Sequence, residues 1–184
     1  MIDVVMSTGF KEIDSCTGGF RRHTSTLILA PSGFGKTEYA HYLVESCNHQ
    51  EIVSAVFTSK PEDLPEIETY TDYLVNVSAL DFDDARMEFD NLAVCPALVV
   101  IDNVTNELEG ALMKHIRNYS TVVVFSNLEL AYRQLHDLHT ASEVVLQGIC
   151  DRSGQKMWLL AKNRYGGAGI MEPIDKRIRG EWQS

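Results

Sequence analysis

No apolar run in this sequence approaches the ~20 residues that a membrane-spanning helix needs. The amino terminus has no basic stretch followed by an apolar block, so a secretory signal is not expected. The four cysteines, Cys16, Cys47, Cys95 and Cys150, are scattered and lack the close pairing of a zinc site. They read as reduced, mostly buried thiols of a cytoplasmic protein with no membrane partner. Positive charge is also short: 16 Lys and Arg against 26 Asp and Glu leave a formal net charge of −10. A protein that grips nucleic acid with a broad basic face carries the opposite sign. Any contact with DNA or RNA must therefore come from a local cluster, or from several subunits pointing loops into one channel. Internal repeats, low-complexity tracts and Pro/Gly/Ser linkers are absent as well. One domain is expected over residues 1–184.

What the sequence does have is alternation. Near-continuous β-branched runs at 26–29, 52–57, 73–77, 97–101 and 121–125 read as strands covered on both faces. Helix-like segments separate them at 36–47, 83–92, 107–117 and 128–138. Strands alternating with helices predict an α/β fold with a mainly parallel twisted sheet flanked by helices. The pattern then changes. Residues 143–150, the turn Asp151-Arg152-Ser153-Gly154-Gln155, and residues 156–161 read as a C-terminal antiparallel hairpin.

The strongest chemical signal is Ala30-Pro31-Ser32-Gly33-Phe34-Gly35-Lys36-Thr37, placed after an apolar strand and before a helix. Gly33 and Gly35 allow the backbone to wrap closely, so that successive N–H groups point at phosphate oxygens. The helix that follows aims its positive end at the same oxygens. In such a P-loop, Lys36 reaches the β- and γ-phosphates of ATP, and the Thr37 hydroxyl ligates Mg2+. Ala30 stands where the usual pattern has its first glycine. A second metal ligand is Asp102, at the end of the apolar run 97–101, in the Walker B arrangement.

The flanking residues narrow the family. Ser7-Thr8-Gly9-Phe10-Lys11-Glu12-Ile13-Asp14, followed by Thr17-Gly18-Gly19-Phe20, resembles the lead into the loop of RecA, KaiC and the DnaB replicative helicases. Val122-Val123-Val124-Phe125-Ser126-Asn127-Leu128 is similar to the helicase strand ending in Ser-Gln-Leu, which makes Asn127 the amide that senses the γ-phosphate. Ala141-Ser142-Glu143-Val144-Val145-Leu146 and Ala161-Lys162-Asn163-Arg164-Tyr165-Gly166 resemble the helicase end, whose Lys/Arg pair reaches the neighbouring subunit's ATP. The resemblance thus implies that Lys162 and Arg164 act in trans. It spans roughly 7–169, the motor core without the helicase's separate amino-terminal domain.

Three features depart from that pattern. The glutamate that activates water at the end of the second core strand falls here on Thr58 or Lys60, and a charged lysine cannot accept a proton. Glu62 is the nearby substitute if its loop curls back; otherwise Pro61-Glu62-Asp63 simply starts a helix. Pore-facing basic residues are few. The loop 103–109 is acidic, Arg133, His136 and His139 follow later, and Lys176, Arg177, Arg179 and Trp182 cluster in the tail. The resemblance implies an ATP-hydrolysing homo-oligomer, a ring, acting on single-stranded nucleic acid in replication or recombination. The alternative is a weakly hydrolysing, nucleotide-gated adaptor of a helicase or recombinase. A kinase is disfavoured, because no acceptor-site signature is present.

Overall fold

The computed structural model describes residues 4–64, 67–104, 106–129 and 132–174, except for the side chains of 68, 106 and 132–134. Val4–Met6 (β1) and Phe20–Arg21 (β2) form a small antiparallel ribbon that brackets Lys11–Thr17 (α1). The main elements follow as Ser25–Ala30 (β3), Lys36–His49 (α2), Ser54–Thr58 (β4), Ile67–Tyr70 (α3), Tyr73–Asn76 (β5), Phe82–Asp90 (α4) and Leu98–Asp102 (β6). Asn106–Ile116 (α5), Thr121–Asn127 (β7), Tyr132–Ala141 (α6), Val144–Cys150 (β8), Lys156–Asn163 (β9) and Met171–Pro173 (β10) complete the chain.

The main sheet has eight strands in the order β10-β9-β8-β3-β7-β6-β4-β5. The six strands from β8 to β5 pair in parallel, whereas β9 and β10 are antiparallel. The expected mixed sheet with a C-terminal hairpin is therefore present. Three elements lie outside the sequence reading: the β1–β2 ribbon, α1 and β10. Each is short and has no periodic run to mark it. The helix expected at 128–138 is displaced to Tyr132–Ala141, because β7 runs on to Asn127 and a turn follows.

Alternation along each strand divides the apolar side chains between two cores. On β3, Ile28 and Ala30 join one cluster, with Tyr39, Leu43 and Val44 of α2 and Trp158 of β9. Leu27 and Leu29 join the other, with Ala85 and Phe89 of α4 and with Leu112, Met113 and Ile116 of α5. Covering on both faces is why these strands read as continuous apolar runs. The lead-in phrase also acquires a structural explanation. The Asp14 carboxylate accepts from the Thr8 N–H at 2.9 Å, from the Thr8 hydroxyl at 2.7 Å, and from the Ser7 hydroxyl. The Tyr39 hydroxyl of α2 donates to the Thr8 carbonyl at 2.7 Å. This clasp fixes the segment before β3 onto the helix that follows β3.

Candidate functional site

β3, β7, β6 and β4 run in the same direction, so their carboxyl ends line one edge of the sheet, where ligands of open α/β sheets bind. At that edge β3 passes into the loop Pro31–Gly35 and then into α2, a helix of 14 residues. Gly33 (φ 70°) and Gly35 (φ 104°) take left-handed backbone conformations. A Cβ added to Gly33 would meet no atom within 4 Å, so the loop surrounds open space of the kind a phosphate fills. The Lys36 ammonium donates to the Ala30 carbonyl at 2.8 Å and to the Pro31 carbonyl at 3.0 Å. Burial lowers the pKa of Lys36, opposed by the charges of Asp102 and Glu129.

Asp102 ends β6 and is 1% exposed. Its Oδ2 accepts from the Thr37 hydroxyl and from the Asn103 side-chain amide, each at 3.3 Å. Burial pushes its pKa up to about 6, opposed by the Thr37 hydrogen bond and by Lys36. A carboxylate beside a hydroxyl is an oxygen donor set suited to Mg2+, which keeps few protein ligands and takes the rest from waters and phosphates. Among the described residues no group of three or more His, Cys, Asp and Glu could form an all-protein metal cage. The residues present therefore fit a magnesium held jointly with a phosphate ligand. Asp102→Asn keeps the shape and removes the charge. It is expected to weaken Mg2+-dependent nucleotide binding at least ~10-fold, in line with a charge-assisted contact worth ~1.5–3 kcal/mol. Binding measured in EDTA should barely change; calorimetric titrations with and without metal check both. The sign for stability is opposite. A carboxyl whose folded pKa is raised loses stability as pH climbs from about 4 toward about 6, so the asparagine chain is expected to melt no lower than the parent at pH 8.

The loop also has a seat. Phe34 is 5% exposed and meets the Trp158 ring edge-on, with ring centroids 5.1 Å apart. It covers Gly148 of β8 so closely that a Cβ there would lie 2.5 Å from Phe34 Cε1 and 2.7 Å from the Ala30 Cβ. Lys156, the first residue of β9, donates to the Gly33 carbonyl at 2.8 Å, and its ammonium lies 5.3 Å from the centre of the Phe34 ring. Holding that carbonyl outward turns the next peptide N–H, that of Phe34, toward the loop interior, where it reaches the Pro31 carbonyl at 3.3 Å. Lys156, Trp158 and Gly148 escape a sequence reading because they become neighbours of the loop only through the pairing of β3, β8 and β9.

A cleft of about 240 Å³ adjoins the loop, lined by Ser32, Lys36, Lys60, Glu109, Ser126 and Asn127, among others. Asn127 therefore reaches the loop, pairing with Ala30 in the sheet and accepting from the Glu129 N–H at 3.2 Å. Lys60 is in the cleft; Glu62 is exposed on the 3-10 turn Pro61–Asp63 and is not among the lining residues. The sequence reading missed Glu109. It is 1% exposed, its Oε2 accepts from the Ser126 hydroxyl at 3.0 Å, and burial pushes its pKa up to about 8. A larger cavity of about 670 Å³ lies between the lead-in segment and the end of α2. Chemistry, not volume, identifies the site.

Lys162 and Arg164 are elsewhere. β9 runs antiparallel to β8, so Lys156 is beside the loop while Lys162 and Asn163 pair with Val145 and Val144 at the opposite edge. Six residues of strand separate the two ends, ~20 Å at ~3.3 Å per residue, beyond the reach of either side chain to its own loop. The Lys162 ammonium caps the end of α6, donating to the carbonyls of His139 at 2.7 Å, Thr140 at 3.3 Å and Ser142 at 2.6 Å. Arg164 is 57% exposed and lies 3.6 Å from the Glu143 carboxylate, making it the more available of the two cations. The Arg133 side chain and the basic tail at 176–182 lie outside the described residues.

No protein-family model and no curated protein sequence matches the chain. Solved structures do match in fold. Superposition on the ATPase domain of a DnaB-like helicase gives a TM-score of 0.69 at 14% sequence identity, covering 96% of this chain and 91% of that one. The fold is RecA-like: a mostly parallel sheet flanked by helices, with an antiparallel hairpin at one edge. Among the described residues no helix is long and apolar enough to cross a membrane.

Proposed function

We propose that the chain binds ATP with magnesium at the Pro31–Thr37 loop and hydrolyses it as an oligomeric motor on single-stranded nucleic acid. The observation that carries this reading is the meeting of Thr37 with buried Asp102 directly beside Lys36 and an open glycine loop. Backbone amides and the α2 dipole would cradle the phosphates, Lys36 would leave its two carbonyls for the β- and γ-oxygens, and Thr37 and Asp102 would hold the metal. Magnesium, when bound, neutralises phosphate charge. The matched ATPase domain supports the same reading by fold alone.

Self-association follows from the placement of Arg164. A guanidinium on the edge of the sheet away from its own loop can stabilise a transferring phosphate only across a subunit boundary. Arg164→Ala is expected to bind ATP normally and lose ~10³-fold or more in turnover, the usual worth of such a finger. Mixing it with Lys36→Ala subunits should restore part of the activity, because one variant supplies an intact loop and the other an intact finger. Turnover by Arg164→Ala alone at the parental rate would rule out the trans arrangement.

Lys60 favours a second reading. A cation in the cleft, where a proton-accepting glutamate is expected, suits a nucleotide-gated adaptor that retains ATP and regulates a helicase or recombinase. Steady-state turnover with and without a single-stranded oligonucleotide separates the two. Stimulated turnover supports the motor, and tight binding without turnover supports the adaptor.

A further inference from the structure

Water that attacks a γ-phosphate must give up a proton, and neither Thr58 nor Lys60 can accept one. Glu62 faces outward from its turn. One carboxyl does line the cleft beside Lys36, Ser126 and Asn127: Glu109, delivered from α5 on the face of the sheet opposite α2. The Ser126 hydroxyl, at 3.0 Å, holds one carboxyl oxygen and leaves the group's other lone pairs for a second partner.

Resting on the nucleotide reading above, we propose that Glu109 is the catalytic base of this site, taking the place of the glutamate missing after β4. Water oxygen bonds to the γ-phosphorus as the bond from that phosphorus to the bridging oxygen breaks. ADP leaves with the bonding electrons, and the water proton passes to a Glu109 oxygen. The products are ADP and inorganic phosphate, and no further reactant is required.

The surroundings explain why a carboxyl is there. If Glu109 served only to accept the Ser126 hydroxyl, a glutamine would do so without the penalty of burying a charge. They also set the pH dependence. Asp102 from β6 raises the pKa of Glu109, the Ser126 hydrogen bond from β7 lowers it, and burial dominates. The other charged side chains lining the cleft are Lys36 from α2 and Lys60 beyond β4; β7 contributes neutral Ser126 and Asn127. The carboxyl is mostly protonated at pH 7, so hydrolysis is expected to be slow there and to rise until the pH passes about 8.

The test is single-turnover hydrolysis by the full chain, parent against Glu109→Gln and Glu109→Asp, with Mg·ATP affinity measured by calorimetry and melting followed from pH 6 to 9. Glu109→Gln is expected to bind within about threefold of the parent, to hydrolyse ~10²-fold more slowly, and to lose the rise with pH. Glu109→Asp, which keeps an acid on a shorter stem, should recover part of the rate. The parent should lose melting temperature relative to the glutamine chain as pH rises, because the raised carboxyl pKa costs stability once it ionises. Parental turnover by Glu109→Gln overturns the proposal. A parent that binds Mg·ATP without turning it over overturns it too, while leaving the nucleotide site intact. A parent that binds no nucleotide overturns the reading on which the proposal rests.

Discussion

Lys36→Ala is expected to bind Mg·ATP ~30- to 1,000-fold more weakly than the parent, which corresponds to ~2–4 kcal/mol for removing the cation from a largely desolvated phosphate. The loop offers several backbone amides but only one ammonium at its base, so the γ-phosphate charge would have no direct replacement. The folded chain itself should hardly notice. Without nucleotide the Lys36 ammonium contacts only the carbonyls of Ala30 and Pro31, and burial already disfavours its charge. A melting temperature within ~3 °C of the parent is therefore expected, at roughly 2–4 °C per kcal/mol for a chain of this size. Calorimetric titration with Mg·ATP and a thermal melt on the same sample check both halves. A variant that binds like the parent would show that the ammonium is not at the phosphate site.

Gly148→Val carries the second large effect, and its cause lies outside the motif. Any side chain on Gly148 places carbon 2.5 Å from the Phe34 ring and 2.7 Å from the Ala30 Cβ. Trp158 blocks the ring from retreating, and Ala30 belongs to the central strand, so the loop itself must lift. Overpacking of this kind costs ~1–3 kcal/mol, a fall of up to ~10 °C in melting temperature. Displacement of the Gly33–Phe34 peptide should weaken ATP binding a further ~10-fold, since amides aimed at a phosphate act only when correctly oriented. Phe34→Ala in the same background should relieve the clash and recover much of the melting temperature. Parental affinity in Gly148→Val would mean that the seat of Phe34 does not position the loop.

These two residues mark the boundary of what a sequence can convey. The loop, the strand ending in Asp102 and the alternation that builds the sheet all rest on local patterns: glycine spacing before Lys-Thr, an apolar run closed by an acid, β-branched runs between helices. The structure places Lys36, Thr37 and Asp102 together, as that pattern implies. Gly148, by contrast, is an ordinary strand residue until β8 pairs with β3 and β9. Glu109 was hidden for a different reason. An acid in the first turns of a helix reads as a favourable dipole contact on a solvated face, and only the packing of α5 beneath β7 shows it buried against Ser126. Lys162 illustrates the reverse case. Family resemblance makes it a trans-acting cation, while in this chain its ammonium closes three carbonyls at the end of α6. To reach a neighbour's phosphate it would first have to leave them, whereas Arg164 needs only to leave Glu143.

The sheet edge also accounts for what the acidic composition leaves possible. With a net charge of −10, the chain has no excess of cations for a broad nucleic-acid face. The cations that matter, Lys36, Lys60 and Lys156, are gathered at the carboxyl ends of the parallel strands, where they balance phosphate.

The central claim is that the Gly33–Thr37 amides and Lys36 hold a triphosphate whose metal is anchored by Asp102. Calorimetric titration of the full chain with ATP, in magnesium and again in EDTA, tests it most directly. Saturable binding that weakens sharply without the metal is the predicted result; no heat of binding at millimolar Mg·ATP would contradict it.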